Sequence, residues 1–257
     1  MRRMGIGLQL YTLRDELAND FTGTIRKVAA LGYEGVEFAG YGGLSVEEMK
    51  SLLAETGLKV IGSHVGMQQL KADLQGEIDY LKAIGGQYMI CPWIHPNERG
   101  TTADWEGHIA FLQEAGEKVR ASGLQFGYHN HDFEFHLQLN GEYVFDAIYS
   151  ATTPEQLQVE LDVCWVKFAG EDPLAYIGKY AGRLPLLHLK DFRKGEQGEM
   201  ITLELGQGEV PLAQVLQAAS DAGVEWMIVE QDNCQNPPLQ SVENSLNWVK
   251  HNYLSRA

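Results

Sequence analysis

The sequence has few cysteines and no long apolar segment. Its three cysteines, Cys91, Cys164 and Cys234, lie far apart and form no CxxC motif, which predicts unpaired thiols in a reducing compartment. No apolar run is long enough to cross a bilayer. The first segment reaches Asp15 and Glu16 early, which is atypical of a signal peptide. We therefore expect a cytoplasmic protein without a membrane partner.

Positive charge is also scarce. The 257 residues include 20 Lys and Arg against 35 Asp and Glu, so the formal net charge is −15. Such a surface repels phosphate backbones, which argues against a nucleic-acid partner. Otherwise the composition, 44% hydrophobic and 21% charged, is ordinary for a globular protein.

Eight short apolar segments alternate with helical patterns along the chain. They are GIGLQLY, GVEFAG, LKVIGSHVG, QYMICPW, LQFGYHNH, LQVELDVCW, LPLLHLKDF and WMIVEQDN. One helical pattern, SVEEMKSLLAETG, begins with a capping box of Ser45 and Glu48 and ends at Gly57. Eight strand–helix units of roughly 32 residues are typical of a (β/α)8 barrel. A doubly wound sheet is disfavoured because the first turn lacks GxGxxG. We predict an α/β fold, a single-domain (β/α)8 TIM barrel over residues 1–257.

Polar side chains stand at the carboxyl ends of these predicted strands. Those ends meet at one mouth of a barrel, where active sites lie. Burying charged groups there is costly unless they are paired or bind a metal. A hydrophilic rim without chemistry is the alternative. The polar and aromatic residues at strand ends are Gln9, Tyr11, Glu37, His64, Trp93, His95, His129, His131, Glu160, Asp162, His188, Lys190, Glu230 and Asp232.

A long loop, roughly RKGEQGEMITLELGQGE, follows the seventh predicted strand. In a barrel such a loop lies on the active-site face. Its LGQGEV segment only hints at a glycine-rich phosphate cradle. We therefore expect a substrate without a phosphate group.

Several short segments, in this order and at barrel spacing, resemble the xylose isomerase-like TIM barrels, which include sugar phosphate isomerases and epimerases. They are GLQLYTLR, LGYEGVEF, GSHVG, GYHNHDFEF, ELDVCWV, LHLKD and IVEQD. The resemblance covers essentially the whole chain. It implies a small-molecule carbohydrate substrate and a homodimer or homotetramer.

The resemblance also implies one divalent metal ion held by Glu, Asp, His and Glu from strands 5 to 8. The matching positions are Glu134, Asp162, His188 and Glu230. In relatives of the epimerase type the first Glu stands about where this chain has His129, so a strand-5 histidine, His129 or His131, is the alternative ligand. An oxygen-rich set of this kind favours Mn²⁺ or Mg²⁺, with Co²⁺ and Zn²⁺ as alternatives.

The implied chemistry begins with proton abstraction next to a carbonyl, through a metal-stabilised enediolate. The catalytic candidates are His131, Glu134, Glu230 and Lys190, and the substrate-binding candidates are Gln9, Glu37, His64, Trp93, His129, Trp165 and Lys190. Trp165 stands where epimerases often have a histidine, three residues after the strand-6 Asp. This departure makes a lyase a serious alternative to an isomerase.

The leading hypothesis is a sugar isomerase or epimerase. The second is a metal-dependent lyase or dehydratase acting on a keto-inositol or a 3-keto-glycoside. The third is an abasic-site endonuclease, which the acidic composition disfavours. The fourth is a carbohydrate-binding protein without catalysis.

Overall fold

The structure, a computed structural model, describes residues 2–256. Across these residues eight parallel strands close into a barrel by pairing the first strand with the last. The strands are β1 (Gly5–Gln9), β2 (Gly35–Phe38), β3 (Lys59–His64), β4 (Tyr88–Cys91), β5 (Gln125–His129), β6 (Gln158–Asp162), β7 (Leu186–Leu189) and β8 (Trp226–Val229). The predicted fold class, a single (β/α)8 TIM barrel, is confirmed.

Helices follow the strands and cover the outside of the barrel. Two predicted boundaries are confirmed: the capping box of Ser45 and Glu48 opens one helix, which ends at Gly57 in the left-handed conformation, φ +71°. The helices are α1 (Arg14–Asn19), α2 (Phe21–Leu31), α3 (Val46–Thr56), α4 (Met67–Ala83), α5 (Thr102–Ala121), α6 (Val144–Ser150), α7 (Val163–Phe168), α8 (Pro173–Lys179), α9 (Leu212–Ala222) and α10 (Pro238–Asn252). None of the helices within residues 2–256 is long and apolar enough to span a membrane.

The lower half of the barrel interior is a separate apolar cluster. Glycines on β1 and β5 leave room for its large side chains, because a Cβ at Gly7 would lie 2.3 Å from Ile61 Cδ1 and one at Gly127 would lie 2.6 Å from Ile90 Cδ1. Strand residues two apart share a face, so the polar side chains that follow these apolar ones project into the upper half. The cluster consists of Ile61, Tyr88, Ile90, Leu186 and Ile228.

Strand β6 is shorter than the sequence predicted. The prediction extended it through Trp165, but the strand ends at Asp162 and α7 begins at the next residue. Asp162 Oδ1 accepts the backbone N–H groups of Cys164 and Trp165, each at 2.9 Å. This side chain therefore caps the helix, which turns the chain away from the barrel directly after the carboxylate.

The long loop after β7 has secondary structure of its own. Asp191–Lys194 pairs antiparallel with Met200–Leu203. A shorter hairpin, Gln138–Leu139 with Glu142–Tyr143, follows β5. Both hairpins leave the carboxyl ends of barrel strands, so they belong to the face of the molecule that carries the polar residues.

We expect Arg183→Ala to lower the free energy of unfolding by about 2 kcal/mol, because hydrogen bonds to a charged group contribute about 1.5–3 kcal/mol. The guanidinium of Arg183 donates to the carbonyl oxygens of Leu157, Tyr149 and Thr152 at 2.8–2.9 Å. Arg183→Lys should recover only part of the loss, since lysine lacks the planar fork. Urea unfolding measures both variants. Equal free energies of unfolding for the alanine variant and the wild type would show that these hydrogen bonds do not stabilise the fold.

Candidate metal centre

The upper half of the barrel gathers most of the side chains that the sequence predicted for the site. Seven of them are buried and His64 is partly buried. They come together because each stands at or just beyond the carboxyl end of its strand and faces inward. On β3 a register shift against β2, where Val36 pairs with Val60 but Glu37 pairs with Gly62, lets both Ile61 and His64 face the interior. These residues are Gln9, Glu37, His64, His129, Asp162, His188, Lys190 and Glu230.

Two overlapping groups of donor atoms in this cluster are compact enough to hold a metal ion. The donor atoms of each group all lie within 4.8 Å of one another. The upper group is His129, Asp162, His188 and Glu230, and the deeper group is His64, His129, Glu160 and His188. His129 and His188 belong to both groups.

Glu160 was among the predicted strand-end residues, but no role as a ligand, base or substrate contact was predicted for it. Its signal was present in the sequence, because Glu160 lies two residues before Asp162 and therefore on the same face of β6. Its Oε2 lies 2.6 Å from His64 Nε2 and 3.2 Å from His129 Nδ1. The spacing alone did not indicate that both acids point into the barrel at different depths.

His188 stands at the centre of the cluster. Its Nδ1 lies 2.8 Å from Glu230 Oε2 and its Nε2 lies 2.8 Å from Glu37 Oε2. Burial disfavours the charged ring, but the Glu160 and Glu230 carboxylates hold the pKa of His188 well above its usual value. In the same way, Glu37 and Glu160 outweigh burial and raise the pKa of His64 to about 9. Without a metal, these rings carry protons that balance the acids.

Lys190 supplies the fixed positive charge. Its Nζ lies 2.9 Å from Asp162 Oδ2, 2.7 Å from Glu230 Oε2 and 3.1 Å from Asp232 Oδ2. Burial opposes the charge, yet these three carboxylates hold the pKa of Lys190 well above its usual value. Lys190 therefore stays an ammonium ion and ties the ends of β6 and β8 together.

The donors fit a divalent cation. Glu37 Oε1 and Glu160 Oε1 are buried and have no hydrogen-bond partner within the described residues, a state that buried polar atoms rarely tolerate. A divalent cation would take the place of the protons that the imidazole rings carry, because metal binding releases protons from its ligands. The charge of the four buried acids would then be balanced by the metal ion. The upper group offers two imidazoles and two carboxylates, a mixed set that suits Zn²⁺, Co²⁺ or Mn²⁺ better than Mg²⁺.

Glu134 belongs to neither group. The chain does turn after β5, but the carboxylate is directed back to its own segment: Oε1 accepts the Tyr128 hydroxyl at 2.7 Å and Oε2 accepts the His131 N–H at 2.9 Å. Burial raises the pKa of Glu134 to about 8. Its role as a ligand stays a prediction, while His129, the alternative ligand from β5, lies in both groups.

A cavity of about 730 Å³ opens above the cluster. Its polar lining includes His64, His129, Glu230 and residues with unused hydrogen-bonding atoms. His131 Nδ1 and Trp165 Nε1 are buried there without a partner within the described chain. At the rim, Trp93 and Tyr11 are 40% and 45% exposed, unusually high for large aromatic residues. The cavity therefore offers aromatic faces and polar side chains to a ligand.

The family model for xylose isomerase-like TIM barrels matches residues 25–252. The chain belongs to this family. Among curated relatives, the inosose dehydratase of Lacticaseibacillus casei is 27% identical over 158 residues, 54% of this chain and 52% of the relative. The chain thus matches about half the length of the first curated relatives. The inosose dehydratase of Mesomycoplasma hyopneumoniae strain J is 22% identical over 288 residues and covers 96% of this chain and 95% of the relative.

Solved structures share the fold at low identity. A sugar phosphate isomerase/epimerase from Parabacteroides distasonis ATCC 8503 has a TM-score of 0.81 at 22% identity, over 97% of this chain and 94% of its own. D-allulose 3-epimerase from Methylomonas sp., in complex with D-allulose, has a TM-score of 0.74 at 15% identity, over 98% of both chains. The IOLI protein, solved with a bound zinc atom, has a TM-score of 0.78 at 12% identity, over 97% of this chain and 99% of IOLI.

We expect His188→Gln to lower the affinity for Mn²⁺ and Zn²⁺ by at least about 100-fold, because even residues that only orient metal ligands contribute 10–100-fold. His188 contributes to both donor groups. Glu134→Gln is the matched control and should keep its metal, since the Tyr128 hydroxyl and the His131 N–H occupy its oxygens. Elemental analysis after dialysis measures both. If the Glu134 variant loses the metal and the His188 variant keeps it, Glu134 is the ligand and His188 is not.

Proposed function

We propose that the protein is a divalent-metal-dependent sugar isomerase or epimerase that removes a proton from the carbon next to a carbonyl group. The observation that carries this proposal is the convergence of His129, Asp162, His188 and Glu230 within 4.8 Å beneath a cavity of about 730 Å³. A cavity of that size is large enough for a sugar-sized ligand. Membership of the xylose isomerase-like family supports the same class of reaction.

These four residues would hold the metal, which when bound supplies a Lewis acid for a carbonyl oxygen. The proton acceptor we propose is Glu230, whose side chain lines the cavity. Burial favours its neutral form, but Lys190 and His188 hold the pKa of Glu230 well below its usual value. The group is therefore an ionised carboxylate, which can accept a proton. Lys190 is a second donor for developing negative charge on the substrate.

His131 is the second acid/base group in the proposal. Burial, followed by the charge of Lys190, lowers the pKa of His131 to about 3, so its ring is neutral. Both His131 and Glu230 line the cavity, and epimerisation needs one group to remove a proton and another to return it. Glu134 acts in this scheme through the His131 backbone N–H that it accepts, as a positioning residue.

The cavity lining supports a polyhydroxylated substrate. Trp93 and Trp165 line the cavity with aromatic faces, while the side chains of His131 and Glu230 are polar groups in the same lining. His64 and His129 reach the cavity from below. Gln9 and Glu37 are fully buried behind them, where Gln9 Nε2 donates to Glu37 Oε2 at 2.8 Å. We propose that this pair orients His188 rather than contacting the substrate.

Dehydration of a keto-inositol, or elimination from a 3-keto-glycoside, is the second candidate. Its support comes from the inosose dehydratase relatives and from Asp232. This carboxyl group lines the cavity, and burial raises its pKa despite Lys190 at 3.1 Å. A carboxylic acid at that position could protonate a departing hydroxyl or alkoxyl group after Glu230 has removed the C–H proton.

Incubation of the metal-loaded protein in D₂O with ketoses, a keto-inositol and a 3-keto-glycoside separates the two candidates. The isomerase or epimerase proposal predicts a product that keeps its hydrogen count and carries one solvent deuteron. Loss of water or of an aglycone in mass spectra would instead establish the lyase. Solvent exchange into none of the substrates would contradict the shared proton-abstraction step.

We expect His131→Asn to lower kcat by about 100-fold or more, the usual contribution of a positioned acid or base, while metal content stays unchanged. His136→Asn is the matched control from the same loop. The His136 side chain is 63% exposed, so its loss should leave kcat and KM unaltered. Steady-state kinetics with the identified substrate measures both. A full-activity His131 variant would remove this residue from the scheme.

A further inference from the structure

The loop after β7 contains an anion site that the chain itself occupies. Asp191 Oδ1 accepts the backbone N–H groups of Phe192 at 3.0 Å and Val210 at 3.1 Å. Asp191 Oδ2 accepts those of Gly206 at 3.0 Å and Gly208 at 2.9 Å. Backbone N–H groups that point into one concavity form a nest, which is a common anion-binding arrangement. Here four such groups point at one carboxylate. All four are used by one buried carboxylate.

The sequence of the loop suits this arrangement. Gly206 has φ +85°, a left-handed conformation that glycine adopts without strain. A Cβ at Gly208 would lie 2.3 Å from Asp191 Oδ1 and 2.3 Å from the Phe192 carbonyl oxygen. These are the two glycines of LGQGEV, the segment that hinted at a phosphate cradle. Their conformation and spacing are therefore explained by an internal carboxylate.

We propose that Asp191 fills the anion site that this loop would otherwise offer to a phosphate group, and that the substrate is an unphosphorylated keto-sugar or keto-polyol. In (β/α)8 enzymes the loops after strands 7 and 8 frequently bind phosphate. Here the nest donors are already satisfied, and Glu209, exposed beside them, adds further negative charge. The substrate class rests on the proposed function, whereas the occupied nest does not.

Asp191 also has a structural link to the site. It directly follows Lys190, whose Nζ contacts Asp162, Glu230 and Asp232. The carboxylate that closes the nest therefore also fixes the backbone next to that ammonium group. At the cavity itself, Arg14 is a cationic lining residue together with the acids Glu230 and Asp232, so a phosphate at the mouth would meet charge of both signs.

The first test uses the full-length metal-loaded protein with formate and inorganic phosphate as probes, against chloride at equal ionic strength. Asp191→Ala should melt at a lower temperature than the wild type and regain about 2–4 °C in either probe, because an anion then binds the opened nest. The wild type should show no anion-specific rise. Val28→Ala is the control, since loss of this fully buried apolar side chain also lowers the melting temperature but opens no polar site.

A folded Asp191→Ala protein whose melting temperature responds to neither anion would overturn the occupied nest, as would an equal rise in the Val28 variant. If Asp191→Ala does not fold in chloride, the yield of folded protein after refolding is compared between formate and chloride. A higher yield in formate supports the proposal, and an equal yield in the two salts overturns it. Calorimetry of the wild type with fructose and fructose 6-phosphate tests the substrate class. Phosphate-dependent tightening by more than about tenfold would contradict it, whereas failure to turn over any sugar would affect only the proposed function.

Discussion

The structure depends on the neutralisation of acids inside the barrel. Glu37, Glu160, Asp162 and Glu230 are all buried, and buried carboxylates are tolerated only when positive charge or hydrogen bonds compensate them. Lys190 provides one fixed charge and His188 provides a ring that contacts two of the acids. Glu37 Oε1 and Glu160 Oε1 have no hydrogen-bond partner within the described residues, so a cation would complete the neutralisation. The polar interior and the proposed metal site thus follow from one electrostatic requirement.

Much of this arrangement could be predicted from the sequence because barrel geometry is periodic. The alternation of strands and helices predicted the fold, and the position at strand ends predicted that His64, His129, Asp162, His188 and Glu230 meet at one mouth of the barrel. Both inferences use regularities of barrel geometry. The capping box at Ser45 was predictable for the same reason, since its side-chain contacts are local.

The features that the sequence did not predict depend on individual contacts, which leave no periodic pattern in the sequence. Glu134 follows the strand, and its direction is fixed by a tyrosine six residues earlier and by one backbone N–H. Asp162 combines an inward-facing oxygen with a helix cap, so β6 stops earlier than its apolar pattern indicated. Asp191 is a further case, because three of its four backbone partners come from a segment 15–19 residues later.

The central claim is that a divalent ion binds where β5, β6, β7 and β8 end. Anomalous diffraction from crystals grown with Mn²⁺ tests it most directly, because the peak locates the ion independently of any activity. The account predicts one strong peak within coordination distance of His129, Asp162, His188 and Glu230. A peak at Glu134, or an empty site with Lys190 still bound to the three acids, would contradict it.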